Sequence, residues 1–192
     1  MHENKRKRVR RLKAASFGRF SNFPSIIHGT AKISHKTSIT RLQRLIAEAL
    51  RDLNGYKTLQ ILSVASRSGR YPGETTFEVG VADDLYFNYL DDETYTNLVT
   101  RLKSRRVFQV LDVLIVVLYH YHKKGKRIPL HFDHNIIRFT FKKGELNAYL
   151  FHVKGIRRMP LDDLLNFVIS LIKGKMTKNR LKTFKIDYIR TY

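Results

Sequence analysis

The chain has 192 residues, 43% of them hydrophobic and 11% aromatic, enough for one folded core but thin for two. Its 37 Lys and Arg against 16 Asp and Glu give a formal charge of +21, which points to a polyanionic partner, nucleic acid ahead of an anionic membrane surface. The absence of Cys excludes disulfides, thiolate zinc sites and cysteine nucleophiles together.

Residues 1–24 read as a basic flexible arm and residues 25–192 as an α+β nucleic-acid-binding domain. The arm carries Lys5, Arg6, Lys7, Arg8, Arg10, Arg11 and Lys13, then Phe17, Gly18, Arg19, Phe20 and Phe23, so cations interleave with rings able to stack on bases. Its basic start runs into Ala14 and Ala15 instead of a long apolar stretch, so no secretory signal is read and a cytoplasmic location is expected. Ala31, Ile33 and His35 then alternate with Lys32 and Ser34 as in a short strand. Over residues 38–53, Leu42, Leu45, Ile46, Ala49, Leu50 and Leu53 recur at helical spacing, with Thr37 or Ser38 as cap and Arg41 and Arg44 on the outer face.

Two strand-like runs follow, residues 58–65 and 75–81. Their connection at 66–73 reads as a long basic hairpin tip bearing Arg67, Arg70 and Tyr71. Helices are expected at 92–103 and 106–122. The second is apolar nearly all round, with Gln109 and Asp112 as a narrow polar stripe, and its length favours a buried central helix over a strand despite its β-branched residues. Gly125 would close it, with Lys123, Lys124, Lys126 and Arg127 gathered at its carboxyl end. A second hairpin spans 136–141 and 146–153 around Lys142-Lys143-Gly144-Glu145, with Arg138 and Thr140 on one face. A helix at 160–173 starts at Pro160 and ends at Gly174. A basic connection with Lys173, Lys175, Lys178, Arg180 and Lys182 then leads to a last strand through Phe184, Ile186 and Tyr188.

The expected fold is therefore a single compact α+β domain of about four helices and two antiparallel hairpins plus a C-terminal strand, with a basic N-terminal arm. A helix followed by strands at 38–81 and again at 92–153 suggests a weak internal duplication.

Little of this looks catalytic. His131-Phe132-Asp133-His134 has metal-like spacing but no third ligand, and reads as a polar turn; no metal or cofactor is expected. His120 and His122, two apart at a helix end, would point about 200° apart. Asp91, Asp92 and Glu93 suit a helix amino terminus, which leaves only Glu78, Asp83 and Asp84 for a metal nuclease. Nucleotide-loop and nucleophile-elbow motifs are missing. Function is expected to be non-catalytic nucleic-acid binding, RNA favoured over DNA, as a subunit of a ribonucleoprotein with other protein subunits and no membrane. The phosphate contacts would come from the arm, Arg19, Arg41, Arg44 and the basic loops. One alternative is a metal-independent RNA endonuclease using His28 or His35 as proton shuttle. The other is a scaffolding or anionic-membrane-surface role.

Overall fold

Period-two alternation governs more of this chain than helical periodicity does. The computed structural model describes residues 16–62, 71–104, 107–179 and 183–192. In chain order they form β1 (Gly29–His35), α1 (Ile39–Leu53), β2 (Lys57–Leu62), β3 (Tyr71–Asp83), β4 (Tyr86–Tyr89) and α2 (Asp92–Lys103). Then come β5 (Val110–Lys123), β6 (Lys126–Lys142), β7 (Glu145–Lys154), α3 (Leu161–Lys178) and β8 (Phe184–Thr191). One sheet runs β2-β3-β5-β6-β7-β1-β8, with β4 paired to the far end of β3. Every pairing between these strands is antiparallel.

The expectation of about four helices and two hairpins is overturned: the described residues are 48% strand and 29% helix and form a curled seven-strand half-barrel with three helices. The decisive difference lies at 106–122, where the expected central helix is the strand β5. Hydrogen-bonded to β3 on one edge and β6 on the other, β5 sits in the middle of the sheet. Its odd-numbered Leu111, Val113, Ile115, Val117 and Tyr119 are buried, and its even-numbered Leu114, Val116 and Leu118 are half-buried. A strand covered on one face and partly on the other loses its polar alternation and reads as apolar all round, so the β-branched residues are the better guide here.

Two further corrections follow from that one. Lys123 to Arg127 is not a helix end but the β5–β6 hairpin turn, in which Lys123 pairs with Lys126 and both Lys124 and Gly125 take positive φ (50° and 73°). That is the backbone of a tight primed turn, which matches the right-handed twist of the flanking strands. His131 to His134 is not a turn but the middle of β6, opposite β5. Gly174 also fails to end its helix: α3 continues to Lys178 and buries Met176, so Lys173, Lys175 and Lys178 are helical.

The helices cover one face of the sheet. On α1, Leu42, Leu45, Ile46, Ala49, Leu50 and Leu53 are all buried, as their spacing requires, and Ser38 caps the helix by accepting from the Arg41 amide. They meet Leu164, Leu165, Val168, Ile169 and Ile172 of α3 and the sheet residues Phe77, Val79, Ile115, Ile137, Phe139, Leu146, Leu150, Ala31 and Ile33 in one core. Each such aliphatic side chain contributes about 1.5–3 kcal/mol on burial. Two amides tie loops to this layer. Buried Gln43 bonds both the amide and the carbonyl of Phe108, and Asn54 bridges the Leu90 carbonyl and the Val79 amide. No helix among the described residues is long and apolar enough to cross a membrane.

Candidate nucleic-acid interface

The sheet face turned away from the helices is where aromatic and basic side chains meet. Register fixes the set. Leu118 of β5 faces Phe132 of β6, Leu114 faces Ile136, and Asp112 faces Arg138. Ile136 in turn faces Phe151 of β7, Arg138 faces Tyr149, and Tyr149 faces Thr30 of β1. Across β1, Lys32 faces Tyr188 of β8 and Thr30 faces Arg190. A row of rings therefore crosses four strands: Phe132 and His134 (centroids 5.0 Å apart), Phe151 stacked on His28 (4.8 Å, 16° between planes), then Tyr149 and Tyr188. Phe132 is 45% exposed and Tyr188 39%.

Cations lie among these rings. Lys154 Nζ sits 5.4 Å from the Phe132 centroid and the Arg190 guanidinium 5.0 Å from that of Tyr188. Lys32 reaches Glu145 at 2.8 Å, and that carboxylate raises the pKa of the lysine. Single-stranded nucleic acid binds by stacking bases on rings while cations track the backbone, and this face supplies both components.

One end of the face is closed by residues 16–23. Gly18 donates its amide to the Ala82 carbonyl of β3 and accepts from the Asp112 amide of β5, filling the gap where those strands separate. The Asp112 side chain, with no exposed surface, accepts from the Phe20 amide (2.7 Å) and takes both Nε and Nη2 of Arg138 at 2.7 Å. Arg138 also donates to the Phe20 carbonyl, and its guanidinium lies 3.9 Å from the Phe23 centroid. The phenylalanines of this stretch thus pack on their own sheet, whereas Arg19 is exposed.

The basic residues singled out in the sequence that the structure describes are spread over the helical layer and the sheet. Lys5, Arg6, Lys7, Arg8, Arg10, Arg11, Lys13, Arg67, Arg70, Arg180 and Lys182 lie outside the described residues. Tyr71 opens β3. Arg41 and Arg44 are exposed on α1 and Lys173 and Lys178 on α3, in the helical layer, where Lys175 is ion-paired with Asp52. Lys123, Lys124, Lys126 and Arg127 are exposed at the β5–β6 hairpin, and Arg127 is bonded to Glu74 at 2.8 Å.

Of the two candidate proton shuttles, His35 is 5% exposed, with Nδ1 against the Thr37 carbonyl (3.0 Å). His28 is half-buried on the sheet face, with Nδ1 accepting from the His152 amide. His120 and His122, on a strand instead of a helix, share a face and do not diverge. Among the described residues no group of three or more His, Cys, Asp or Glu side chains gathers as a metal site. Asp133 serves the fold: its buried carboxylate accepts from the Tyr119 hydroxyl (2.7 Å) and from the amides of Arg157 (2.8 Å) and Arg158 (3.0 Å). Burial, reinforced by that bond, pushes the Tyr119 hydroxyl pKa up.

No family model, curated protein or solved structure matches this chain.

The face residues missed in the sequence are Lys32, Phe132, His134, Tyr149, Phe151, Lys154 and Arg190. Each strand's alternation encodes them, but only the strand order brings them together, and that order was hidden once β5 was read as a helix.

Three imidazoles in and beside this row have pKa values lowered from the ordinary one. Burial lowers the pKa of His28, helped by the charges of Arg157 and His152. Burial and Lys154 do the same for His134, and burial and Arg127 for His120. A histidine whose folded pKa lies below its unfolded value of 6.5 costs nothing above that pH, where both states are neutral. As pH falls through 6.5, the unfolded chain takes up protons that the fold resists. The melting temperature is therefore expected to fall between pH 7.5 and pH 5.5, before the carboxylates titrate; a flat or rising Tm over that interval contradicts the assignment.

Proposed function

We propose that this protein binds RNA, laying unpaired bases on the ring row from Phe132 to Tyr188 while Lys32, Lys154 and Arg190 hold the backbone. The carrying observation is the interleaving of exposed rings and cations on one continuous sheet face, at cation–ring distances of 5.0 to 5.4 Å, in a chain of net charge +21. RNA is preferred to duplex DNA because a sheet face offers stacking surface for splayed bases and presents no helix to enter a major groove. Seven basic residues between Lys5 and Lys13, against the single acid Glu3, leave most of the charge elsewhere, so that segment adds affinity without being the site. Membership of a ribonucleoprotein assembly, with other protein subunits, is part of this proposal: it gives the basic surfaces of the helical layer, Arg41, Arg44 and Lys173, further phosphates to neutralise.

Fluorescence anisotropy with a labelled single-stranded RNA across a salt series tests it. Neutralising about six phosphates of a single strand gives a slope of log K against log salt near −4. Such a slope, with binding persisting near physiological salt, is the expected result. A slope near zero, or no binding at low salt, would sink the proposal.

A further inference from the structure

A second cluster stands on the same sheet face, at the β5–β6 hairpin end, and its chemistry differs from stacking. Glu74 of β3 lies directly across from His120 of β5, and Arg127 of β6 directly across from His122. Arg127 Nη2 is ion-paired with Glu74 Oε1 (2.8 Å) and donates to Thr76 Oγ1 (2.9 Å) and to His120 Nδ1 (3.1 Å). Thr76 also donates to Glu74 Oε1 at 3.2 Å, and His122 Nε2 stands 3.6 Å from Glu74 Oε2. Lys57 of β2, paired in register with Thr76, adds a further cation. One carboxylate thus faces two imidazoles, a guanidinium and an ammonium, on a surface with His122 and Arg127 open to solvent at 35% and 41% exposure.

We propose that Glu74, His120, His122 and Arg127 form a metal-independent RNA-cleaving site that acts by transesterification at a 2′-hydroxyl. The inference rests on RNA binding by the adjoining ring row, which would lead the strand across this end of the sheet.

The Glu74 carboxylate takes the proton of the 2′-hydroxyl, whose oxygen attacks the adjacent phosphorus. The bond from phosphorus to the 5′-oxygen breaks, and that oxygen receives a proton from the imidazolium of His120. The products are a 2′,3′-cyclic phosphate and a 5′-hydroxyl, with no water, metal or oxidant consumed. Arg127 and Lys57 offset the extra negative charge on the pentacoordinate phosphorus, and His122, with Nε2 3.6 Å from Glu74 Oε2, stands beside the carboxylate. Residues two apart on a strand are roughly 6.6 Å apart along it, so His120 and His122 can flank one phosphodiester.

In the free protein Arg127 occupies His120 Nδ1, and burial together with that guanidinium lowers the His120 pKa. An arriving phosphate draws Arg127 to itself, frees Nδ1 and lets the ring take up its proton. The charged groups facing His120 are Lys57, Glu74, His122 and Arg127, one strand each from β2, β3 and β6 and one from its own. Glu74 is held below the usual carboxylate range by Arg127, Thr76, Lys57 and His122 despite its burial, and so stays ionised as a base to mildly acidic pH. Cleavage should accordingly be fastest on the acid side of neutrality.

The full chain is incubated with a labelled single-stranded RNA in excess chelator from pH 4.5 to 8, with a 2′-O-methyl copy of the same oligonucleotide as the uncleavable probe for binding. Expected are products ending in 2′,3′-cyclic phosphate, a bell-shaped pH profile, an intact 2′-O-methyl strand, and a rate lowered about 100-fold or more in Glu74→Gln and in His120→Asn. Both variants should bind the 2′-O-methyl strand within about threefold of the parent and keep its circular dichroism spectrum. RNA that is bound but stays intact across the pH range overturns the cleavage site and leaves the binding proposal standing. Cleavage that survives in both variants also overturns it, and RNA neither bound nor cleaved overturns both readings.

Discussion

Replacing Asp112 by Ala is expected to lower stability by roughly 3–5 kcal/mol, because it strands a paired charge. Asp112 has no exposed surface and receives three hydrogen bonds of 2.7 Å, two from Arg138 and one from the Phe20 amide. Arg138 is itself only 21% exposed, so without the carboxylate its guanidinium keeps the Phe20 carbonyl and the Phe23 ring but loses its counter-charge. The Phe20 amide is orphaned at the same time, which adds to the cost. Residues 16–23 should loosen with it, since this carboxylate joins them to β5 and β6. Urea unfolding of Asp112→Ala, Arg138→Met and the double variant separates the terms. The double variant should recover part of the loss, because removing both charges leaves neither stranded. A single-variant loss under about 1 kcal/mol would mean that the pair is not buried as described.

Gly155→Ala comes next, at roughly 3–5 kcal/mol. Gly155 has φ of +120°, and a Cβ there would lie 2.2 Å from Asp133 Oδ1 and 2.4 Å from the Phe132 carbonyl oxygen. The neighbours that would have to yield are backbone and a carboxylate already fixed by Tyr119, Arg157 and Arg158, so relief means breaking those bonds at about 1–3 kcal/mol each. Gly125→Ala is the matched control: its φ is +73°, nothing stands within 4 Å of the added carbon, and only the left-handed penalty of about 1–2 kcal/mol applies. Thermal melts should place Gly155→Ala at least about 6 °C below the parent and clearly below Gly125→Ala. Equal shifts for the two would show that the Asp133 contact carries no weight.

Where one face of an element meets solvent, the sequence told the truth about it. α1 kept its stripe, Asp91 capped α2 by accepting from the Thr94 amide, and the turn at Gly144 joined β6 to β7 in the expected register. β5 was illegible because a central strand of a curled sheet is covered by helices on one face and lined by Leu114, Val116 and Leu118 on the other. No polar alternation survives there to separate a period of 2 from one of 3.6. That one misreading moved everything attached to it. The basic turn became a helix end, and two histidines that share a face seemed to point apart.

The aromatic row was hidden for a different reason. Phe132, Phe151 and Tyr188 come from three strands, β6, β7 and β8, and only non-local register aligns them. Charge was legible at once but dispersed, and counting cations could not distinguish the open sheet face from the helical layer.

The central claim is that RNA lies on the sheet face, and one comparison tests it most directly: the affinity for single-stranded RNA of a sheet-face variant, Phe132→Ala with Tyr188→Ala, against a helical-layer variant, Arg41→Glu with Lys173→Glu, at a fixed salt concentration. Each lost stacking contact costs about 1–3 kcal/mol, so the first variant should bind at least about 30-fold more weakly. The second reverses two exposed charges away from the site and should weaken binding less than about threefold. The opposite order, with the ring variant near the parent and the helical variant crippled, would contradict the account and move the binding surface to the helices.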